Sequence, residues 1–154
     1  VPDVIRSLEK NNEIHIRNPS STRPWQHVLE PLSGYLSLAE RLSKNPGEFS
    51  EAWNFGPYDR DVRPVDWILD QMISLWPDAS WRLDRDDNPH EATLLKLDIS
   101  KASSILGWAP TWSLEVALSK IIGWHKCWIE GADMREECIN EISEFTKDMR
   151  HASN

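Results

Sequence analysis

The glycines of this 154-residue chain constrain its fold more than any other feature. All six stand singly, and even the two nearest, Gly123 and Gly131, are separated by more than two turns of a helix. A fold that binds a dinucleotide needs glycines at G-x-G-x-x-G spacing after a strand, because its backbone must approach the pyrophosphate closely. That loop is absent from the sequence, and so is a P-loop. The sequence therefore predicts no cofactor in this chain.

No set of residues has the spacing of a catalytic or metal-binding group. Neither Tyr35 nor Tyr58 has a lysine four positions later, so a Tyr-x-x-x-Lys proton-transfer pair is missing. His125 and Cys127 are two positions apart in a predicted helix, where their side chains project roughly 200° from each other and cannot chelate jointly. We predict no catalytic residue and no metal site.

Hydrophobic periodicity predicts a helix-rich α+β fold with short, scattered strands. Apolar residues at three- and four-residue steps predict an amphipathic helix over 29–42, whose stripe is Leu29, Leu32, Leu36, Ala39 and Leu42. Further helices are predicted at about 2–11, 64–76, 100–106, 114–130 and 134–149, and strands at 13–16, 52–56, 80–84 and 93–98. The pattern indicates no self-contained doubly wound sheet. We expect a main portion over 1–135, followed by a charged helix and tail over 136–154.

Composition and charge exclude several classes of function. The formal net charge of −8 argues against non-specific binding to nucleic acid or to an anionic membrane, but permits a local basic pocket. No apolar run approaches the ~20 residues of a membrane span, and no segment resembles a signal peptide. Cys127 and Cys138 lack the spacing of a disulfide framework, which favours a reducing cytoplasm. The chain begins at Val1 inside a predicted helix, so we expect a piece of a longer protein.

The segment 21–28, "STRPWQHV", is the best candidate for binding a ligand. Arg23 offers a planar fork of donors that suits phosphate oxygens, and Gln26 and His27 add polar groups beside it. The alternative is a structural arginine tied to the start of a helix. The nine tryptophans of the chain favour core packing, although Trp25 has polar neighbours that would suit stacking on a sugar. A non-catalytic carbohydrate-binding or interaction module therefore stays open.

Four segments carry a resemblance to a known family. They are "IRNPSSTRPWQHVLEPLSGYL", "WNFGP", "NPHEATLLKLDISKASSILGWAPTWSLEVAL" and "IIGWHKCWIEGADM". Together they resemble the carboxy-terminal half of the CDP-glucose 4,6-dehydratases, which are nucleotide-sugar enzymes of the extended short-chain dehydrogenase/reductase family. The resemblance covers the chain from Val1 to about Arg135. The related nucleotide-sugar epimerases and dehydratases are an alternative.

This resemblance implies the substrate-binding part of a two-part enzyme. An amino-terminal half, absent here, would hold NAD on a Rossmann sheet and supply the catalytic tyrosine and lysine. The whole enzyme would convert CDP-glucose to CDP-4-keto-6-deoxyglucose and water, as a step towards bacterial surface polysaccharide. The present part would bind the CDP-sugar, would complete the sheet only partly through "WNFGP", and would not catalyse alone. Whether the protein forms a homo-oligomer stays open at this point.

The resemblance also implies roles for single residues. Arg23 matches the arginine that contacts the diphosphate, and His90 and Glu91 match a pair near the ribose and phosphates. Arg17 and Asn18 match the position where relatives hold the base. Relatives carry a second phosphate-binding arginine a few residues before the histidine, where this chain has Asp87. A second arginine is therefore in question unless Arg85 replaces it.

Overall fold

The computed structural model describes residues 2–10, 12–76, 79–84 and 93–152, and helices dominate them. The helices are α1 (Pro2–Glu9), α2 (Leu29–Lys44), α3 (Pro46–Phe49), α4 (Val65–Ser74), α5 (Leu114–Ile129) and α6 (Met134–Ala152), with a 3₁₀ turn at Asp59–Asp61 and a π-helix at Ala102–Leu106. The strands are β1 (Ile14–Ile16), β2 (Thr22–Arg23), β3 (Arg63–Pro64) and β4 (Trp81–Leu83). The predicted helix-rich α+β class is confirmed.

Two small sheets connect distant parts of the chain. β1 and β4 pair in parallel, with Ile14 opposite Trp81. β2 and β3 pair antiparallel, and an isolated parallel bridge joins Thr22 to Leu94 on the other side of β2. β2 thus lies between two segments that are remote from it in sequence, and it holds the 21–28 segment against both.

Two of the four predicted strands are wrong. Residues 52–57 pair with none of the described strands, although Phe55 is buried. Side chains bond to this region instead: Gln26 Nε2 donates to the Phe55 carbonyl at 2.9 Å, and Asn54 Nδ2 donates to the Asp98 carbonyl at 3.2 Å. Of the predicted strand 93–98, only the bridge at Leu94 forms. For residues 52–56 the apolar content correctly indicated that Phe55 is buried. It did not indicate whether a neighbouring strand is available to pair with the segment.

Local end signals place the helices more accurately. α5 begins after Ser113, whose hydroxyl accepts the Val116 N–H at 3.4 Å, as its sequence predicts. The left-handed backbone of Gly107 (φ 70°) ends the π-helix, as a glycine at this position allows. Just before the π-helix, Asp98 Oδ1 accepts the Ser100 N–H at 2.8 Å.

The main hydrophobic core joins the first helix of the chain to α4 and α5. It is formed by α1, β1, α4 and α5, through Val4, Ile5, Leu8, Ile14, Ile68, Leu69, Met72, Leu114, Leu118 and Ile122. A second cluster packs under α2 and consists of Phe49, Phe55, Ala102, Leu106 and Trp108. These two clusters fix the elements that carry the candidate site.

The helix α2 was predicted correctly, but the prediction of its buried face was wrong. The apolar stripe on which the prediction rested is largely exposed. Leu32 is 44% exposed and Leu36 is 73% exposed, whereas Glu30 and Gly34 are buried. A Cβ on Gly34 would lie 2.3 Å from Cδ1 of Phe55. The Phe55 ring can therefore pack this close to α2 only because residue 34 has no side chain. The burial of Glu30 has a separate cause, described next.

Two buried carboxylates fix the loop that leads into α5. Glu30 accepts the Thr111 N–H at 3.0 Å and the Trp112 N–H at 2.7 Å, and Asp61 accepts the Leu114 N–H at 3.1 Å. Burial raises the pKa of Glu30, the two backbone donors oppose that shift, and nearby Asp61 adds to it. The backbone N–H groups of this loop thus donate to the two carboxylates instead of to the carbonyl groups of a strand or a helix.

α6 is attached to the rest of the fold by one apolar and several polar contacts. Phe145 is buried, and its ring meets Trp112 edge-on at 5.0 Å between centroids. Asp148 accepts the Trp112 indole N–H at 2.9 Å, and Glu144 pairs with Lys120 of α5 at 2.5 Å. Among the described residues, no helix is long and apolar enough to cross a membrane.

Candidate functional site

The β2–β3 ribbon places Arg23 where a ligand could contact it. Arg23 is half-buried, and its Nη1 donates to the Thr22 carbonyl at 2.9 Å. It lies directly opposite Arg63 in the antiparallel register. Residues opposite each other in such a ladder project to the same face of the ribbon. Two guanidinium groups therefore share one face, in a chain whose net charge is −8.

Trp25 fixes this ribbon from the side. Its indole N–H donates to the Arg63 carbonyl at 3.0 Å, and its ring packs partly buried against the main core. Its backbone N–H also donates to the Arg23 carbonyl at 3.0 Å. Trp25 thus connects the backbone at Arg23 to the backbone at Arg63. Its ring packs on the core, and its indole N–H is bound to a backbone carbonyl.

The loop that contains Arg17 and Asn18 lies against the start of α4. The Asp66 N–H donates to the Pro19 carbonyl at 2.9 Å, and the Val65 N–H donates to the Ser21 carbonyl at 3.1 Å. Arg17 is exposed and Asn18 is half-buried. The structure therefore brings this loop, β2 and the β3–α4 junction together.

Gln26 turns away from this face. Its amide Nε2 donates to the Phe55 carbonyl at 2.9 Å. Its Oε1 is buried and has no hydrogen-bond partner within the part of the chain that the structure describes. Gln26 consequently links the 21–28 segment to the second hydrophobic cluster.

His27 is buried, and both of its ring nitrogens contact protein groups. Nδ1 accepts the Leu29 N–H at 3.3 Å, so Nε2 carries the proton, and it lies 2.8 Å from Glu141 Oε1. Burial, followed by the positive charge of Lys120, lowers the His27 pKa to about 4. Burial also raises the pKa of Glu141. This neutral histidine anchors α6 and offers no ring nitrogen to a ligand.

His90 and Glu91, which the resemblance implies near the ribose and phosphates, lie outside the described residues, as do Arg85 and Asp87. The described chain resumes at Thr93, whose carbonyl accepts the Thr22 N–H at 2.8 Å. Arg63 on the same ribbon was not predicted from the sequence. The signal available was a second Arg-Pro pair, Arg63-Pro64; Trp67 comes three positions after its proline, whereas Trp25 follows Pro24 directly.

Two cavities differ in their relation to this ribbon. A cavity of about 260 Å³ between the start of α2, α5 and α6 is lined mainly by apolar groups, together with His27 and Glu141. A cavity of about 540 Å³ is lined by 57–59, which precede β3, and by 96–100, which follow the bridge at Leu94. In it Lys96 pairs with Asp59 at 3.3 Å. The second cavity has a mixed lining, in which Asp59, Lys96 and Asp98 lie beside apolar groups.

Within the described ranges, no three His, Cys, Asp or Glu residues are grouped to hold a metal ion. The charged groups of the β2–β3 ribbon are two guanidinium groups, which donate hydrogen bonds and accept none. The chemistry that this face supports is the binding of an anion.

Comparison with known proteins supports the predicted resemblance. The chain is 54% identical over 146 residues to the CDP-glucose 4,6-dehydratase of Salmonella typhimurium, which covers 94% of this chain and 41% of that relative. The crystal structure of dTDP-glucose 4,6-dehydratase from Bacillus anthracis, in complex with NAD, has a similar fold. The TM-score is 0.60 at 15% identity, over 85% of this chain and 40% of that one. No protein-family model matches the chain.

The predicted resemblance to CDP-glucose 4,6-dehydratase is confirmed. The chain spans about two fifths of the length of the curated relative. Its fold is similar to the corresponding part of a sugar-nucleotide dehydratase.

Proposed function

We propose that this chain is the CDP-sugar-binding part of a CDP-glucose 4,6-dehydratase and does not catalyse by itself. The observation that carries the proposal is the high identity to such a dehydratase along almost the whole chain. The fold is compatible with it, because the arginine implied to bind the diphosphate lies half-buried on the β2–β3 ribbon, opposite a second arginine. The chain has no glycine-rich loop and no Tyr-x-x-x-Lys pair, so NAD and the redox step are assigned to no residue of it.

Arg23 is the proposed diphosphate ligand within this site. Arg17 and Asn18, in the loop against α4, are proposed to contact the base, and His90 and Glu91 the ribose and phosphates. Gln26 and His27 are proposed to support the site through their contacts with Phe55 and Glu141, and not to contact the ligand. The two free cysteines agree with a reducing cytoplasm as the place of action.

The test is a calorimetric titration with CDP of the unaltered chain and of R23Q. Loss of a charge-assisted contact to phosphate costs about 1.5–3 kcal/mol, so R23Q should weaken binding at least tenfold. Binding to the unaltered chain should also weaken as salt is raised. R135Q, which makes the same charge change on α6, is the control and should bind CDP as the unaltered chain does. Equal affinity in R23Q and the unaltered chain would refute the role of Arg23.

A carbohydrate-binding module is the second candidate, and one observation favours it. Trp128 is 52% exposed at the end of α5, with its ring 6.1 Å from that of Trp124. Exposed tryptophans can stack on sugars. This candidate predicts that free glycans bind without a nucleotide and quench tryptophan fluorescence. Binding of CDP but not of glucose oligomers would reject it.

A further inference from the structure

The cavity between the start of α2, α5 and α6 shares no lining residue with the β2–β3 ribbon. It measures about 260 Å³, and its apolar walls are Val28, Leu29, Ile121, Trp124 and Ile142. Val28 and Ile142 are exposed, so the rim of the cavity is accessible from solvent. An apolar cavity of about 150 Å³ can hold benzene. This cavity therefore has room for one aromatic ring with a short side chain.

Two polar residues, His27 and Glu141, interrupt the apolar walls. His27 Nδ1 accepts the Leu29 N–H at 3.3 Å, and Nε2 lies 2.8 Å from Glu141 Oε1. Both ring nitrogens of His27 are thus in contact with protein groups. Burial lowers the His27 pKa to about 4, so the ring is neutral at pH 7. The charge in the cavity wall is therefore that of Glu141.

Glu141 has one carboxylate oxygen available to a ligand. Its side chain is only 15% exposed, and Oε2 makes no hydrogen bond within the part of the chain that the structure describes. Burial raises the pKa of Glu141, and the charges of Glu144 and Glu137 add to this effect. Lys120 opposes it, but its ammonium group is paired with Glu144 at 2.5 Å. A further cation beside Glu141 would offset the cost of burying its charge.

Trp124 adds an aromatic wall on α5, across the cavity from α6. Its indole N–H donates to Cys138 Sγ at 3.4 Å, and its ring meets that of His125 edge-on at 5.1 Å between centroids. These two contacts fix the orientation of the indole. An aromatic wall together with a carboxylate attracts an organic cation, through the ring quadrupole and through charge pairing. The same pair of groups disfavours an anion.

We propose that this cavity binds a small primary ammonium compound with an aromatic body, whose charged group pairs with Glu141 while its ring fills the space beside Trp124. The ring removes apolar wall surface from water. The ammonium group carries three donors, one of which can reach the unused carboxylate oxygen. A neutral aromatic compound would fill the same space but leave that oxygen unpaired.

The test titrates the unaltered chain with four probes in a calorimeter: phenethylamine, phenethyl alcohol, hydrocinnamate and ethylamine. A charge-assisted pair with Glu141 should make phenethylamine bind about tenfold more tightly than the alcohol. Hydrocinnamate, which has the ring but a negative charge, and ethylamine, which has the charge but no ring, should both bind more weakly than the alcohol. Equal affinities for the amine and the alcohol would overturn the proposal.

The variant E141Q keeps the shape of the side chain and removes its charge. It should weaken phenethylamine about tenfold and leave the affinity for phenethyl alcohol unchanged. E137Q is the matched control, because Glu137 lies one turn earlier on α6 and does not line the cavity. Its affinity for the amine should stay within about twofold of that of the unaltered chain. An unchanged affinity for the amine in E141Q would refute the role of Glu141.

A second variant tests the place of binding without altering a charge. I142W puts a larger side chain at an exposed position of the rim and should weaken the amine and the alcohol alike. Thermal unfolding without ligand checks that both variants are folded. Should E141Q fail to fold, I142W and the four probes still decide, since amine binding that I142W leaves intact would overturn the proposal. CDP takes no part in these titrations, so the proposed function stands or fails separately.

Discussion

Glu30 and His27 illustrate how single polar side chains are used inside this molecule. Glu30 is fully buried, and its carboxylate binds two backbone N–H groups of the loop before α5. His27 is buried as the neutral ring that donates to Glu141 on α6. The polar atoms of both side chains bond to other groups of the protein and stabilise the fold. Arg63 of the β2–β3 ribbon is different, because its side chain is exposed and its guanidinium lies over the Trp67 ring.

The burial of His27 predicts a loss of stability on acidification. Its pKa is about 4 in the folded chain and 6.5 in the unfolded chain, so only the unfolded state binds the proton between these values. The free energy of unfolding therefore falls as pH drops below 6.5. The loss from this residue is about 2 kcal/mol between pH 7 and pH 5. The raised pKa values of Glu30 and Glu141 act in the opposite direction.

Urea unfolding at pH 7 and pH 5 checks this for the unaltered chain and for H27N, whose amide does not titrate. We expect the acid-induced loss to be smaller in H27N by about 2 kcal/mol. The comparison cancels the contributions of His15 and His125, which both proteins retain. An identical pH dependence in the two proteins would show that His27 is not the group responsible.

Elements were predicted better than their contacts. Ser113, Gly107 and Gly131 mark helix ends through local backbone chemistry, so the sequence located α5 and the π-helix well. The inward face of α2 depends on Phe55 and on the loop at 111–112, which lie far along the chain, and periodicity pointed to the wrong face. In the candidate site Arg23 was identified from its chemistry. Arg63 required the register of two short strands, which no local pattern specifies.

Close packing of α2 on Phe55 makes Gly34 intolerant of a side chain. G34A adds a Cβ 2.3–2.6 Å from three atoms of the ring, so either the ring or the helix must shift. Overpacking of this kind costs about 1–3 kcal/mol. G123A in α5 is the matched control, since nothing lies within 4 Å of its added Cβ, and it should stabilise by about 0.5–1 kcal/mol. Chemical denaturation of both variants measures these changes; equal effects would contradict the close approach.

At the scale of the whole molecule, α2 presents a continuous apolar stripe to solvent. Its residues are Val28, Leu32, Tyr35 and Leu36, which are 61%, 44%, 57% and 73% exposed. They recur at helical spacing, so they form one surface and not scattered positions. Exposed apolar surface of this kind promotes association.

We therefore expect the chain to self-associate as its concentration rises. L36K should shift sedimentation toward the monomer, because it places a charge at the most exposed position of the stripe. V116K, a similar change at a site on α5 that is 38% exposed, should have little effect. A monomer at every concentration for the unaltered chain would contradict this expectation.

The hydrogen bonds of Glu30 also bear on how the chain reaches its native state. They connect residues 81 and 82 positions apart, and Asp61 bonds to Leu114 across 53 positions. Contacts of such sequence separation require large loops to close first, which slows folding. The α5–α6 hairpin, by contrast, is local and can form early. We then expect α2 to dock last, when Glu30 binds the backbone of the loop before the preformed α5–α6 hairpin. The segment that carries Arg23 should therefore become ordered late in folding.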